Sequence, residues 1–228
     1  KSLRENCPAP YSVYWQWGSN AILSISPERF MQTYMEGEQI RVETKPIKGT
    51  VVRGKTVEED QENAIRLVNS PKDRAENLMI VDLLRNDIGK SCTPGSIQVS
   101  KLFDLESFPN VHHLVSTING TLSPDCSPID LLKGCFPGGS ITGAPKVRAM
   151  EIIAELEPLK RSAYCGAIGY ICASNQMDTN IAIRTLIADE THLHCWGGGG
   201  IVADSDPEKE YEESMHKIRL ILETLEQL

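Results

Sequence analysis

Strand-like and helix-like hydrophobic patterns occupy separate blocks of this chain and do not alternate along it. Near the N-terminus, three short apolar or alternating stretches lie at 11–17, 21–25 and 39–44, and Glu36-Gly37 marks a turn before the last. These stretches predict a β-meander. Because a parallel sheet needs strands and helices in alternation, the grouping predicts the α+β class.

The first helical pattern begins at Val57 and continues to about Asn86, and Pro71 interrupts it, so two successive helices are predicted. Their shared apolar positions are Ala64, Leu67, Val68, Leu78, Val81 and Leu84. Two strand-like and then two helix-like stretches follow, at 96–102, 111–122, 129–134 and 146–156. A second strand block at 163–173, 178–188 and 192–196 precedes a long terminal helix at 207–228.

The net charge of the chain is -8, and no block of Lys and Arg occurs in its sequence. Because binding to a phosphate backbone needs clustered positive side chains, the sequence argues against nucleic acid as a partner. The longest apolar runs have strand length, so no membrane-spanning segment is predicted. We therefore expect a small-molecule ligand or a protein partner.

Seven cysteines are scattered along the chain without a CxxC pair. This odd set favours reduced thiols in a cytoplasmic protein over a disulfide framework or a zinc site. No internal repeat or low-complexity linker divides the sequence, so residues 1–228 are predicted to form one domain. Because the sequence begins at Lys1 rather than at Met, we expect it to be a fragment of something longer.

Two predicted helices each carry a pair of carboxylates three positions apart: Asp73 with Glu76, and Glu210 with Glu213. Residues at this spacing share one helix face, so each pair can point in one direction. If the two pairs faced each other, their oxygen atoms would form the hard ligand set that Mg²⁺ prefers. The spacing alone fits two solvated acidic helix faces equally well.

Glycines cluster in two loops: residues 136–146 precede a predicted helix, and Gly197 to Gly200 follow a predicted strand. Glycine lets backbone N–H groups approach an anion closely, and a helix N-terminus adds a favourable dipole. Either loop is suited to hold a carboxylate or a phosphate, and either alone also fits a tight turn or a bulge. The P-loop pattern GxxxxGK[ST] is absent from the sequence.

Four other side chains are candidates for chemistry. Lys48 lies at a strand end between a β-branched residue and a glycine, where a lysine ordinarily reaches solvent. In a closed pocket, desolvation would lower the pKa of its amine and make it a nucleophile. Glu28 and His113 are candidates for acid–base catalysis or for structural hydrogen bonds. Arg184 falls inside an apolar stretch predicted as strand, where its charge needs an anion from the protein or from a ligand.

Eight segments of the sequence carry long and collinear motifs. They are SPERF (26–30), PIKGT (46–50), DRAENLMIVDLLRNDIG (73–89), HHLVST (112–117), FPGGSITGAPKVRAMEII (136–153), GAIGY (166–170), IAIRT (181–185) and GGGIVADSDPEKEYEES (198–214). Together they resemble the chorismate-utilising enzyme family, which includes anthranilate, isochorismate and aminodeoxychorismate synthases. The resemblance implies a two-layer fold of antiparallel sheets with helices packed outside, of which this chain is the C-terminal part.

The resemblance also implies a metal cofactor. In the matching positions, Glu76 and Glu213 would bind Mg²⁺ directly, and Asp73 and Glu210 would support them, often through water. The metal would hold the ring carboxylate of chorismate. These ligand assignments follow from the resemblance and not from the spacing.

For the substrate, the resemblance implies that Arg184, with Tyr164 and the backbone near Gly199 and Gly200, holds the enolpyruvyl carboxylate of chorismate. It implies further substrate contacts from Gly49, Thr50, Ser140 and Lys217. Ser140 stands where some relatives carry threonine, and Tyr164 stands where another aromatic residue occurs.

Lys48 favours one branch of the family, because anthranilate synthases usually carry alanine there and the PIKGT form resembles the aminodeoxychorismate synthases. The resemblance then implies that the Lys48 amine attacks ring C2 as the C4 hydroxyl departs. Ammonia would add at C4 and expel the lysine, which gives 4-amino-4-deoxychorismate for p-aminobenzoate and folate biosynthesis. Glu28 would act as general acid, and His113 would have an acid–base or orienting role.

A separate glutamine amidotransferase subunit would supply the ammonia, since no Cys/His glutaminase site is recognisable in the sequence. Two alternatives stay open. The chain can belong to an anthranilate or isochorismate synthase in which Lys48 is only a pocket cation. It can also be a catalytically silent chorismate-binding fragment, because the missing N-terminal part normally supplies some of the pocket wall.

Overall fold

The computed structural model describes residues 1–227, which divide into two compact units. Unit 1 contains Lys1–Arg29, Leu156–Gly169 and the described residues from Thr179 onward. Unit 2 contains Phe30–Glu155 and Tyr170–Asp178. That residues 1–228 form a single domain stays a prediction.

Helices and strands are grouped along the chain. The helices are α1 (Ser2–Asn6), α2 (Val57–Val68), α3 (Pro71–Gly89), α4 (Pro128–Cys135), α5 (Gly139–Thr142), α6 (Lys146–Leu156) and α7 (Pro207–Glu226). The strands are β1 (Tyr11–Trp17), β2 (Asn20–Ser26), β3 (Arg29–Glu36), β4 (Gln39–Lys45), β5 (Ile47–Val52), β6 (Gln98–Ser107), β7 (Val111–Thr121), β8 (Ala167–Ile171), β9 (Met177–Ile181), β10 (Thr185–Ala188) and β11 (Leu193–Cys195). This grouping and the antiparallel strand pairs confirm the α+β prediction.

Unit 1 is built on an antiparallel sheet with the strand order β1-β2-β10-β11. Ile25 of β2 and Leu186 of β10 form a buried cluster with Leu3 of α1 and Ile221 of α7. Burying an aliphatic side chain of this size contributes ~1.5–3 kcal/mol. The cluster therefore fixes α7, which carries two of the candidate carboxylates, against the rest of the unit.

Unit 2 is built on the strand order β5-β7-β4-β3-β9-β8, and β6 pairs with β7 outside that path. β8 and β9 divide their residues between the two units. Strand β7 is buried from His112 to Ile118 because β4, β5 and β6 all pair with it and α3 packs against it. The amide of Asn77 on α3 donates to Leu114 O at 3.3 Å and accepts from Ser116 Oγ at 2.5 Å.

Two capped helices occupy the stretch that the sequence predicts as helical after Val57. Thr56 caps α2, and Ser70 caps α3 by accepting a hydrogen bond from the Asp73 backbone N–H. Pro71 stands in the first turn of α3, where a backbone N–H would have no acceptor within the helix, so proline loses no hydrogen bond there. The predicted break near Pro71 is therefore confirmed.

The predicted buried face of α3 is wrong in one respect, because Leu78 is 45% exposed. Asn77, Ile80, Leu84 and Ile88 are buried instead, and their spacing defines one face of the helix. Leu78 lies about 100° around the helix from Asn77 and therefore points away from this face.

The strand predicted at 178–188 is interrupted, and the placement of Arg184 in its middle is wrong. β9 ends at Ile181 and β10 begins at Thr185, and Arg184 between them has a φ of 49°. The backbone N–H and C=O of Ala182 bond to Gly166 and Cys165, respectively, which draws this short link away from strand pairing. Residues 1–227 contain no helix that is both long and apolar enough to cross a membrane.

Candidate active site

Lys48 lies in a β-bulge on β5. Ile47 pairs with Val115 and Thr50 pairs with His113 on β7, so β5 has one extra residue between these two pairs. Gly49 adopts a φ of 91° within the bulge. Bulges redirect side chains and are frequent beside active sites. The Lys48 side chain is half-buried and forms no ion pair with the residues that the structure describes.

The same bulge brings Thr50 to His113. Thr50 Oγ1 lies 2.8 Å from His113 Nδ1, and the imidazole ring also contacts Phe108 at 5.5 Å between centroids. His113 is only 3% exposed. The Thr50 hydroxyl can donate to Nδ1 or accept from it, so this contact orients the imidazole in either tautomer.

The first turns of α3 lie against the bulge. A Cβ added at Gly49 would stand 3.0 Å from both Cβ and Cγ of Asp73, so no larger residue fits there without movement. Glu76 follows one turn later, its side chain 17% exposed, and one of its oxygens lies 3.9 Å from Lys72 Nζ. The structure thus brings Gly49 and Asp73 together.

Ser140 belongs to the short helix α5 inside the first of the two glycine-rich loops, and it is half-buried. Gly139, beside it, packs against α3, because a Cβ there would lie 2.7 Å from Leu83 Cδ2. This loop is therefore held against the helix that carries Asp73 and Glu76.

Arg184 is a partly buried cation of unit 1. Burial lowers the pKa of its guanidinium, and Cys7 only partly opposes this shift. Among residues 1–227, no carboxylate forms an ion pair with Arg184. A desolvated cation without a protein anion is a candidate for binding an anionic ligand.

The glycine run after β11 is confined on both sides. A Cβ at Gly198 would lie 2.6 Å from the Tyr164 hydroxyl, and one at Gly197 would lie 2.9 Å from Ser214 O on α7. Burial raises the pKa of Tyr164. The ring of Tyr164 stacks on Trp196 at 6.3 Å with an interplanar angle of 9°.

The first turns of α7 place three charged side chains beside Gly199. The Cβ position of Gly199 lies 3.4 Å from Glu210 Oε2, 3.6 Å from Lys217 Nζ and 3.9 Å from Glu213 Oε1. Lys217 forms an ion pair with Glu213 at 2.6 Å and donates to Gly198 O at 3.3 Å. Ser205 Oγ donates to the buried Glu210 at 2.7 Å.

These carboxylates have the chemistry that Mg²⁺ requires. Glu210 and Glu213 direct oxygens toward one point in unit 1, and Asp73 and Glu76 supply further hard donors in unit 2. Within residues 1–227, no three His, Cys, Asp or Glu side chains form a metal-binding group. Water and substrate oxygens would therefore have to complete the coordination, as is usual for Mg²⁺.

Glu28 is 5% exposed and lies between β2 and β3 in unit 1. Its backbone N–H donates to Ser26 Oγ at 3.2 Å, and its carbonyl accepts from Ile181 N at 3.1 Å. Gly200 and Ser140 stand in the two glycine-rich loops. Within each unit, then, several predicted site residues lie together. Trp196, which stacks on Tyr164, was not predicted as a site residue, and its position directly before the glycine run is the one sequence signal for it.

Comparison with known proteins agrees with these motifs. The model of the chorismate binding enzyme family matches residues 1–223. The aminodeoxychorismate synthase component 1 of Salmonella typhimurium is 55% identical over 218 residues, which cover 96% of this chain and 47% of that protein. The anthranilate synthase component 1 of a Synechocystis strain is 45% identical, over 100% of this chain and 46% of that protein.

A solved structure, that of anthranilate synthase component I from Streptococcus pneumoniae, has the same fold with a TM-score of 0.83. It is 40% identical and is matched over 95% of this chain and 47% of that one. The chain thus spans about half the length of the curated relatives that it matches. With residues 1–223 matched, this chain belongs to the chorismate binding enzyme family.

Proposed function

We propose that the protein containing this chain aminates chorismate to 4-amino-4-deoxychorismate. The observation that carries the proposal is Lys48, which stands in the β5 bulge without an ion-pair partner among the described residues. Relatives named aminodeoxychorismate synthase component 1 share 54–55% identity with the chain, which supports the same choice.

Lys48 acts as the nucleophile in this proposal. Its amine forms a bond to ring C2, both conjugated ring double bonds shift, and the C4 hydroxyl leaves as water after Glu28 donates a proton. The nitrogen bound to C2 then loses a proton. Ammonia then forms a bond to C4, both double bonds shift back, and the C2–N bond breaks with its electron pair going to the Lys48 nitrogen. The Lys48 nitrogen takes up one proton, and the new C4 nitrogen loses one. Thr50 orients His113 for a proton-transfer or positioning role in the same reaction.

The substrate is a dicarboxylate, and the proposal assigns one carboxylate to Arg184. Burial of this guanidinium strengthens its attraction to an anion because less water screens the charge. Tyr164 and the backbone of Gly199 and Gly200 support the same carboxylate. Further substrate contacts are proposed for Gly49, Thr50, Ser140 and Lys217.

Mg²⁺, with Glu76 and Glu213 as ligands and Asp73 and Glu210 as supporting groups, would supply positive charge that holds the ring carboxylate. The name "component 1" of the relatives implies a second component, and we propose that it is a glutaminase that delivers ammonia. All seven cysteines are free thiols in the structure, which supports a cytoplasmic location.

The test incubates the full-length protein with chorismate, Mg²⁺ and ammonium and identifies the product by mass spectrometry. We expect 4-amino-4-deoxychorismate, together with a lysine adduct in quenched samples. Lys48→Ala should remove the adduct and slow amination at least tenfold, about 1.4 kcal/mol of barrier. Lys45→Ala, which loses only its ion pair with Glu106, serves as the control on the preceding strand. Formation of anthranilate or isochorismate would contradict the proposal.

A further inference from the structure

The glycine segment, defined as Phe136–Pro145, is joined at its two ends by one side chain. Lys146 follows the segment directly, and its Nζ donates to Cys135 O, the residue before the segment, at 2.9 Å. Lys146 also forms an ion pair with Asp87 on the last turn of α3. A single ammonium therefore closes the segment into a loop and attaches it to α3.

Asp87 is a buried anion, with 3% of its side chain exposed. Its second partner, Lys90, binds Asp87 Oδ1 at 3.0 Å but is 56% exposed, whereas Lys146 is only 14% exposed. Removing one member of a buried ion pair leaves a desolvated charge, while removing an exposed partner costs little. Lys146 is therefore the partner on which the buried charge depends.

The segment has a second attachment to the same face of α3. Gly139 packs on Leu83, and Leu83 and Asp87 are four residues apart, which places them on one face of the helix. Helix α6, which begins at Lys146, buries no side chain among the described residues. Within the described part of the chain, α6 therefore contributes only partly buried residues such as Ala149 beside Gly143, and the Lys146 ammonium supplies the polar attachment of the downstream end.

We propose that Lys146 and Asp87 are positioning residues that hold the glycine segment, and with it Ser140, in the geometry that binds the substrate. The inference rests on the proposed function, in which Ser140 contacts chorismate. Neither Lys146 nor Asp87 touches the reacting atoms. Their loss should impair substrate binding more than the chemical step.

The test compares Lys146→Met with Lys90→Met in the full-length protein, since both lysines bind the same carboxylate. Lys146→Met should raise the KM for chorismate by on the order of tenfold with little change in kcat. Hydrogen exchange of residues 136–145 should accelerate while exchange elsewhere stays unchanged. Lys146→Arg should restore part of the KM, and Lys90→Met should resemble the unmodified protein.

A double variant separates a local effect on the glycine segment from unfolding of the whole protein. The double variant Asp87→Asn with Lys146→Met removes both buried charges and should fold, yet it should keep the fast local exchange and the high KM. Unchanged KM and unchanged exchange in this double variant would overturn the inference, as would exchange that rises equally throughout the protein. If the unmodified protein fails to aminate chorismate, the proposed function is wrong. The exchange measurements still test whether Lys146 and Asp87 hold the glycine segment on α3.

Discussion

Arg184 carries a positive charge that burial makes costly and that no carboxylate in residues 1–227 balances. Its left-handed backbone, with a φ of 49°, is rare for a residue with a side chain. Strained backbone and unbalanced charge at one residue are typical of sites selected for function rather than for stability. Stability and ligand binding should therefore respond in opposite directions when Arg184 is replaced.

Arg184→Met tests this opposition. Because the cation is desolvated without compensation, its removal should leave the free energy of unfolding unchanged or raise it by about 1 kcal/mol. The affinity of the full-length protein for chorismate should fall at least tenfold, or about 1.4 kcal/mol. Urea denaturation and titration calorimetry measure the two quantities.

Arg161→Met is the matched control, because Arg161 has a carboxylate partner in Glu157 at 2.6 Å. Its removal should lower stability and leave chorismate affinity unchanged. If Arg184→Met lowered stability and left affinity intact, Arg184 would be a structural cation and not part of a binding site.

The chemical need of a residue can be read from its neighbours in the sequence, whereas its environment depends on distant parts of the chain. The anion requirement of Arg184 was visible because a charge among apolar neighbours is costly. The environment of Lys48 was not visible, since the bulge depends on the register between β5 and β7, which no local pattern encodes. The pairing of Thr50 with His113 was hidden for the same reason, because the two residues are 63 positions apart.

At the scale of elements, the glycine run and the start of α7 form one structure. Asp206 caps α7 by accepting from the Lys209 backbone N–H, and Glu208 and Glu210 lie in the first turn, where negative charge favours a helix. The run must pass between this helix and Tyr164, and Gly198 has no room for a side chain. Glycine is needed at position 198 because the backbone passes close to the Tyr164 hydroxyl, and not because of a left-handed φ.

Gly198→Ala should lower the melting temperature, because the new methyl group would lie 2.6 Å from the Tyr164 hydroxyl. Adding Tyr164→Phe removes that hydroxyl and should restore part of the loss. Differential scanning calorimetry of both single variants and the double variant gives the coupling between the two positions. Strictly additive effects would show that the methyl group and the hydroxyl do not clash.

The long helices were predictable because apolar periodicity, caps and prolines agree, as in α2, α3, α6 and α7. The last residue of the predicted terminal helix, 228, lies outside the described residues. The short helix α5 was not predicted, because its four residues, Gly-Ser-Ile-Thr, are too few to show a period. The break before β10 was missed since its apolar residues continue as in a strand, while tertiary hydrogen bonds of Ala182 redirect the backbone.

At the scale of the whole molecule, several carboxylates have pKa values below the ordinary range. Hydrogen bonds from Arg53 lower the pKa of Asp60 most, and the Gly54 backbone and His112 add to that effect. Partners also lower the pKa of Asp130, Glu157 and Asp189. These groups bind fewer protons when folded than when unfolded, so their contribution to stability is present at neutral pH.

These carboxylates should therefore leave stability constant between about pH 5 and about pH 7, and stability should fall as the pH drops below about 4, where unfolded carboxyls take up protons. Asp60→Asn should make this fall shallower, because the unfolded state then gains one proton fewer. Urea denaturation between about pH 2 and about pH 7 gives the slope of the free energy of unfolding against pH. Asp125→Asn, at an exposed turn, is the control, and an identical slope for both variants would contradict the assignment.

Unit 1 draws on three separate stretches of chain, whereas nearly all of unit 2 is one continuous stretch. The β2–β10 pairing joins residues that are distant in the chain, and Ser24 and Thr185, for example, are separated by 161 positions. During translation at ~5–20 residues per second, the β1–β2 hairpin would wait roughly 10–30 s for β10. Unit 2 can complete most of its sheet in that interval. The ribosome thus imposes an order of assembly in which the Arg184 link, which connects β9 to β10, is among the last parts to form.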